Sequence, residues 1–155
     1  MSFQIHALPA IDFAPLFKLS DDELAARNAV RMTVTEYPGT PCRISLEDAQ
    51  IGEDVILLNH AHLLAASPYA ATHAIFVRDG VPQATPEAGA VPVSLSSRLL
   101  SVRWFDTNDM MVAADVVDGV DLTTAIEAAF ANPSVTYLHL HNAKPGCFAA
   151  SVTRA

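Results

Sequence analysis

The sequence predicts an α+β fold with a mainly antiparallel sheet and two or three short helices, in one domain spanning residues 1–155. Segments typical of strands outnumber helical ones, and most neighbouring strand segments are separated by turn residues, as in hairpins. Apolar and aromatic residues make up 51% of the chain and charged residues only 17%, which is typical of a chain that forms a core. A sheet closed into a barrel is one arrangement compatible with these features.

The first elements are a strand over residues 3–7 and a helix that begins after Ser20. The Ser20 hydroxyl can accept from the Glu23 amide while the Glu23 carboxylate reaches back to Ser20, which forms a capping box. The helix is predicted to end near Asn28, and residues 29–35 follow as a strand.

The middle of the chain alternates short strands with long loops. Residues 55–58 form a continuous apolar run, which predicts a strand covered on both faces, and residues 73–78 form the next strand. Residues 80–97 contain three prolines and two glycines, so they are predicted to be a long irregular segment of the kind that forms binding lids or mobile loops.

Residues 99–106 and 110–118 are predicted to form an antiparallel hairpin closed around Thr107 and Asn108. Asp121 is predicted to cap a helix. The apolar positions of that helix follow the spacing of an amphipathic helix and are Leu122, Ala125, Ile126, Ala129 and Phe130.

The C-terminal segment is predicted to be a hairpin that gathers reactive side chains. Alternation along its first strand places Tyr137, His139 and His141 on one face. With a five-residue loop over 142–146, Cys147 would lie opposite His141, close enough for the thiol and the imidazole to interact. A shift of one residue in register would move Cys147 to the other face.

One interpretation of this hairpin is a transition-metal site, with zinc as the first candidate ion. His139 and His141 could both point at one ion. A third or fourth ligand would come from His62, which follows the predicted strand 55–58, from His73, which would lie near His62 if the two strands are neighbours, or from an acid such as Asp115.

A second interpretation makes Cys147 a nucleophile, deprotonated by His141 or His139 in a loop that contains Lys144. A third gives the histidines hydrogen bonds on a sheet face and makes Cys147 a small buried hydrophobe. The sequence leaves these alternatives open.

Other polar residues are candidates for acid–base chemistry or ligand binding. Asp115 is predicted to share an apolar face of its hairpin, where it would be a general acid or base or would pair with an arginine. Arg78 and Arg103 suit the recognition of an anionic group. Further candidate ligand-binding residues near the C-terminal hairpin are Tyr137, Asn142 and Lys144.

The charge of the chain narrows the classes of partner. The net charge is −8 and no basic patch is apparent, so nucleic acid and anionic membrane surfaces are not expected partners, whereas a small anionic molecule is. Residues 1–9 lack the features of a signal peptide, and no apolar run is long enough to cross a bilayer. The two cysteines, Cys42 and Cys147, are then expected to be reduced thiols of a cytoplasmic protein.

Four segments carry a resemblance to a known family: Pro-Gly-Thr-Pro-Cys-Arg at 38–43, Ser-Pro-Tyr-Ala-Ala-Thr-His-Ala-Ile-Phe-Val-Arg at 67–78, Arg-Leu-Leu-Ser-Val-Arg at 98–103, and Leu-His-Leu-His-Asn-Ala-Lys-Pro-Gly-Cys at 138–147. With these segments, the chain resembles the uncharacterised bacterial family known as domain of unknown function 1203. The resemblance implies a small bacterial protein and assigns it no activity, cofactor or substrate. The chain departs from the family pattern at His60, where an aromatic residue is usual, which counts against a metal site that depends on His60.

Two functions follow as hypotheses. In the first, the chain is a small-molecule-binding protein or an enzyme with a His/Cys site on the C-terminal hairpin. In the second, it is a non-enzymatic module that uses a sheet face or residues 80–97 to bind another protein or a second copy of itself as a homodimer.

Overall fold

The computed structural model describes residues 2–155, and the predicted α+β fold is confirmed. These residues form eight strands in two antiparallel sheets, with three short α-helices. The strands are β1 (Phe3–His6), β2 (Ala29–Thr33), β3 (Asp54–Leu63), β4 (Ala71–Arg78), β5 (Leu99–Phe105), β6 (Met111–Asp118), β7 (Tyr137–Asn142) and β8 (Phe148–Arg154). Among the described residues, no helix has both the length and the apolar character needed to span a bilayer.

The larger sheet has five strands in the order β1-β8-β7-β5-β6, and the smaller has three in the order β2-β3-β4. Both sheets are open, so neither closes into a barrel. The hairpin predicted from residues 99–118 is formed by β5 and β6, and the C-terminal hairpin is formed by β7 and β8.

The helices are α1 (Asp21–Ala25), α2 (Val93–Ser96) and α3 (Leu122–Phe130). The capping box predicted for α1 is present, because Ser20 accepts from the Glu23 amide and Glu23 accepts from the Ser20 amide, both at 3.2 Å. Asp121 lies at the N-cap position of α3, as predicted, but it does not cap the helix. Asp121 ends a 3-10 turn and has ψ near 6° instead of the extended backbone of a capping residue, and its side chain makes no capping bond.

The third strand is longer than its apolar run predicts. β3 continues past Leu58 to Leu63 because β4 pairs with it along this length, and His60 lies opposite His73. Only the first half of β3 also pairs with β2. His60 and His62 lie in the second half, which among the described residues is hydrogen-bonded to β4 alone. This pairing makes β3 and β4 neighbours, so that His62 and His73 come close together.

The irregular segment 80–97 lies along the body of the protein. The amide of Ala84 donates to the Ile44 carbonyl and the amide of Gly89 to the Phe3 carbonyl, both at 2.8 Å. In α2 the Ser94 hydroxyl donates to the Leu46 carbonyl at 2.8 Å. These bonds anchor the segment at three points.

The described residues form three hydrophobic clusters, two of them large. The largest lies between α3 and the five-stranded sheet and includes Leu138 and Leu140 of β7. The second packs on the three-stranded sheet and includes Ile56 and Ile75. Since side chains alternate along β7, the face opposite Leu138 and Leu140 is turned towards the three-stranded sheet, and this face carries the histidines.

Candidate metal centre and adjoining cavity

Five histidines from three strands converge between the two sheets. They are His60 and His62 of β3, His73 of β4, and His139 and His141 of β7. The ring centroids of His62, His73 and His141 are 4.8 to 4.9 Å apart. Phe148 of β8 stacks on His62 with a centroid distance of 5.0 Å and an interplanar angle of 11°. The docking of the two sheets therefore builds an imidazole cluster from residues up to 81 positions apart.

Three of these histidines have a buried nitrogen without a hydrogen-bond partner among residues 2–155. These atoms are His62 Nε2, His73 Nδ1 and His141 Nε2. An unpaired polar atom in the interior costs roughly 1–3 kcal/mol, so three in one place require an explanation. One ligand nitrogen from each of the same three histidines lies within 4.8 Å of the others, which is the arrangement of a site for a metal ion.

In two of these three histidines, the other ring nitrogen has a hydrogen-bond partner. His141 Nδ1 lies 2.9 Å from the Gly146 carbonyl oxygen, which only accepts, so Nδ1 carries the proton and Nε2 keeps its lone pair. His62 Nδ1 lies 3.1 Å from His139 Nδ1. When His62 donates in this pair, its Nε2 also keeps a lone pair. Partners of this kind orient the imidazoles of known metal sites.

The cluster favours neutral imidazoles. Burial, with a smaller contribution from the positive charge of Arg103, lowers the pKa of His62 and His141 to about 3 and that of His139 to about 4. Burial followed by Arg103 also lowers the pKa of His73. At neutral pH the rings are uncharged, and no proton competes with a metal ion for the unpaired nitrogens.

Arg103 brings a positive charge next to the cluster. It lies on β5 directly opposite His139, and its Nε donates to the Ser101 hydroxyl at 3.3 Å. Within residues 2–155, no carboxylate oxygen lies within 4.0 Å of its guanidinium group. This predicted ligand-binding residue therefore has capacity to pair with an anion beside the histidines.

The predicted register of the C-terminal hairpin is wrong. His141 lies opposite Phe148 and His139 opposite Ser151, with an irregularity between Leu140 and His141. Asn142 belongs to β7 and not to the loop, and the chain turns tightly through a bond from the Gly146 amide to the Asn142 carbonyl at 2.8 Å. The predicted pairing of Cys147 with His141 is consequently absent, because Cys147 precedes β8.

Cys147 contacts an arginine instead. Arg43 Nη2 lies 2.9 Å from its sulfur and Asn142 Nδ2 lies 3.6 Å from it. Arg43 was not among the predicted site residues. Its position directly after Pro41 and Cys42 gives no sign that it reaches a cysteine 104 positions along the chain.

A cavity of about 550 Å³ adjoins the cluster. Of the described residues that line it, three are cations and none is a carboxylate, although the chain as a whole carries a net charge of −8. Its polar and ionisable lining includes Arg43, His73, Arg98, Asn142, Lys144 and Cys147. Arg98 is also paired with Asp48 at 2.6 Å. His73 belongs both to the lining and to the histidine cluster, so the cavity and the cluster meet at this residue.

The remaining predicted site residues lie elsewhere. Arg78 is paired with Glu53 at 2.9 Å and with Glu47 at 3.5 Å, away from the histidine cluster. The Tyr137 hydroxyl donates to Asp109 at 2.7 Å, although its ring packs against His139 with a centroid distance of 5.2 Å.

The prediction that Asp115 is desolvated is wrong. Asp115 lies opposite Val102 as expected, but it is exposed because β6 is the edge strand of the sheet. Its carboxylate accepts from the neighbouring Val116 amide at 2.8 Å. Neither an acid–base role nor an arginine partner has support from this position.

Comparison with known proteins adds one finding. The model of a family described as Protein of unknown function (DUF1203) matches residues 39–154. The matched stretch contains the histidine cluster, Arg43 and Cys147. No curated protein and no solved structure matches the chain.

Proposed function

We propose that this chain, which belongs to the family described as Protein of unknown function (DUF1203), binds a transition-metal ion through His62, His73 and His141 and holds a small anionic molecule next to it. The observation that carries the proposal is the set of three unpaired buried nitrogens on three neighbouring histidines. Zinc is the first candidate ion, because neutral imidazoles are among its preferred ligands.

Three histidines are the number of protein ligands that a catalytic zinc ion uses when a fourth position stays open for water or substrate. With Zn–N bonds of about 2.1 Å, ligand nitrogens in a tetrahedron are roughly 3.4 Å apart. The ligand atoms here lie within 4.8 Å of one another, so small rotations of the side chains bring them to this spacing. A bound zinc ion would supply a Lewis acid next to His73, the proposed ligand that also lines the cavity.

The charges around the centre support an anionic ligand. Arg103 lies beside the histidines without a carboxylate partner in residues 2–155, and the cavity lining is basic. A volume of about 550 Å³ is within the range of pockets that bind small molecules. These features favour a metal-dependent binding protein or enzyme acting on a small molecule with a carboxylate or phosphate group.

Zinc binding to chelator-treated protein tests the metal site. Native mass spectrometry is expected to show one zinc ion per chain, and His141→Ala and His73→Ala are each expected to weaken binding at least 100-fold in a competition assay with a chromophoric chelator. His6→Ala is the matched control, because the His6 side chain is exposed on β1 and contacts the Thr153 hydroxyl instead of the cluster. A protein that retains no zinc, or ligand variants that bind zinc as tightly as the His6 variant, would overturn the proposal.

A second measurement tests the anion. Inorganic phosphate and acetate added to the zinc-loaded protein are expected to raise its melting temperature, and neutral glycerol is not. Arg103→Met is expected to reduce the shift, because it removes the cation beside the histidines while leaving the proposed zinc ligands in place. If anions and glycerol shift the melting temperature equally, the proposal that the protein binds an anionic ligand is contradicted.

A further inference from the structure

Beyond the metal centre, we propose that Cys147 is a nucleophilic thiol, activated by Arg43, that bonds covalently to anionic electrophiles entering the cavity. The preference for anions rests on the proposed function, since it depends on the same basic lining. The nucleophilicity of the sulfur depends on Arg43 and does not depend on the metal.

Arg43 is held rigidly against the sulfur. Its side chain is buried, with 2% of the residue exposed, and two of its nitrogens donate to backbone carbonyls, Nε to Phe148 at 2.7 Å and Nη1 to Pro41. The third nitrogen, Nη2, donates to Cys147 Sγ. The guanidinium group is thus fixed before any ligand arrives.

The charge of Arg43 lacks an ordinary counterion. Within residues 2–155, no carboxylate lies within 4.0 Å of it, so Cys147 is the contacting side chain able to carry a negative charge. Burial lowers the pKa of Arg43, and the sulfur opposes that shift. Arginine stays protonated in proteins, so this contact places a fixed positive charge directly against the sulfur.

Asn142 gives an independent sign of a ligand. The residue is only 6% exposed and lines the cavity, and its Nδ2 points at the Cys147 sulfur. Its Oδ1 is buried without a hydrogen-bond partner in the described chain. A ligand in the cavity that brought an N–H or O–H group to this oxygen would satisfy it.

The other cysteine has none of these features. Cys42 is 1% exposed, and its sulfur accepts from the backbone amides of Ser45 and Arg78 at 3.5 and 3.4 Å. It does not line the cavity. Cys42 therefore serves as an internal reference for a buried structural thiol.

The proposed step is a substitution at carbon. The thiol proton is first released to solvent, and the sulfur then attacks the electrophilic carbon with its electron pair. A carbon–sulfur bond forms as the bond to the leaving group breaks, and the leaving group departs with the bonding pair as an anion. The substrate class is a small molecule with one anionic group and one such carbon.

Two alkylating agents test both parts of the proposal. Metal-free protein is treated at pH 7 with neutral iodoacetamide or anionic iodoacetate, and peptide mass mapping gives the rate at each cysteine. Cys147 is expected to react with iodoacetamide roughly tenfold faster than a cysteine in an unstructured peptide, and Cys42 far more slowly than either. The ratio of the iodoacetate rate to the iodoacetamide rate is expected to be several-fold higher for Cys147 than for the peptide.

Variants separate the contributions. Arg43→Lys and Arg43→Met are expected to reduce the iodoacetamide rate at Cys147, and the methionine variant should do so more. Lys144→Gln removes an exposed cation of the cavity and should lower the iodoacetate-to-iodoacetamide ratio, whereas Lys18→Gln makes the same change outside the cavity and should not. If the Arg43 variants fail to fold, the peptide comparison and the lysine pair still decide the question.

If Cys147 reacts with iodoacetamide no faster than the peptide, the proposal that it is an activated nucleophile is overturned. If Cys147 reacts fast but has the same ratio of iodoacetate rate to iodoacetamide rate as the peptide, the proposed preference for anions is overturned. Zinc binding is measured separately, so a protein that binds zinc and has an unreactive Cys147 would contradict this inference while leaving the metal centre in place.

Discussion

His139 belongs to the histidine cluster but lies outside the set of three proposed ligands. Its Nδ1 is 3.1 Å from His62 Nδ1, and its ring packs among aromatic rings, including Phe105 and Phe148 at centroid distances of 5.3 and 5.1 Å. In the proposed metal site it would act through His62, as a positioning residue that orients a ligand.

Replacing His139 with phenylalanine keeps an aromatic ring and removes the hydrogen bond to His62. Zinc affinity is expected to fall about 10- to 100-fold, the usual cost of losing a partner of this kind, with one ion still bound per chain. Chelator competition measures the affinity. The matched control is His60→Phe, because His60 also packs among aromatic rings and lies outside the group of three. Equal affinities of the two variants would show that the His62–His139 bond has no such role.

The buried histidines also make the metal-free protein sensitive to acid. The pKa values of His141 and His139 are about 3 and about 4 when folded, against about 6.5 in an unfolded chain. Between these values the unfolded chain binds more protons, so the free energy of unfolding falls as the pH falls below about 6.5. The loss amounts to roughly 2 kcal/mol for each of the two at pH 5.

Urea unfolding of metal-free protein at pH 7, 6 and 5 is expected to show a steadily falling midpoint. His139→Phe should flatten this dependence, because one of the protonating groups is gone, while His6→Ala should not. A midpoint that stays constant from pH 7 to pH 5 would contradict the buried neutral state of these rings.

At the scale of elements, the 3-10 turn before α3 packs directly on the end of α2. Gly119 lies in this turn, and its amide donates to the Arg98 carbonyl at 2.8 Å. A Cβ atom built on Gly119 would lie 2.1 Å from the Leu95 carbonyl oxygen and 2.7 Å from that of Arg98. These are backbone atoms, so no side chain can move to relieve the contact.

Gly119→Ala is therefore expected to destabilise the protein by about 3 kcal/mol or more, because the two segments must separate. Gly80→Ala is the comparison, since Gly80 has φ of +68° and open space around its Cβ position. That variant should cost only about 1–2 kcal/mol for the left-handed backbone. Chemical denaturation measures both, and similar losses for the two variants would argue against close packing at Gly119.

Individual elements were largely predictable where a local signal defines them. The capping box at Ser20 and Glu23, the periodic apolar face of α3 and the turn residues of the hairpins each depend on neighbours in sequence. The register of β7 and β8 was not predictable, because it depends on a bulge at Leu140 and His141 that a simple alternation does not reveal. The end of β3 was misplaced for a related reason, since its second half is stabilised by pairing with β4.

At the scale of the whole molecule, the proposed metal site joins the two sheets. His62 and His73 come from the three-stranded sheet and His141 from the five-stranded one. An ion held by all three is bound only when the sheets are docked. Binding is thus coupled to the folded state, and a ligand of the folded state alone stabilises it by mass action.

Zinc at about 100 times its dissociation constant is expected to add about 2.7 kcal/mol to the free energy of unfolding. For a chain of this length, this raises the melting temperature by roughly 5–10 °C. Calcium, which prefers oxygen ligands, should have no such effect, and neither should zinc on His141→Ala. A zinc-induced shift that persists in the variant would place the ion somewhere else.

Most residues of the candidate site could be predicted from the sequence, but their arrangement in space could not. His62, His73, His139 and His141 were identified as candidate ligands from their i, i+2 spacings and neighbouring strands. The role of Arg43 was not identified, because its contact with Cys147 depends on how the loop 37–43 docks against the C-terminal hairpin.

Homodimerisation stays a prediction. The mass of the native protein would test it in the same mass spectrum that counts zinc ions.

The separation of the three proposed ligands along the chain has a consequence for biosynthesis. His62 and His73 leave the ribosome well before His141, so a growing chain presents at most two of the three imidazoles until His141 emerges. Nascent chains should therefore compete poorly for cellular zinc, and capture of the ion should come as a late event that follows docking of the two sheets.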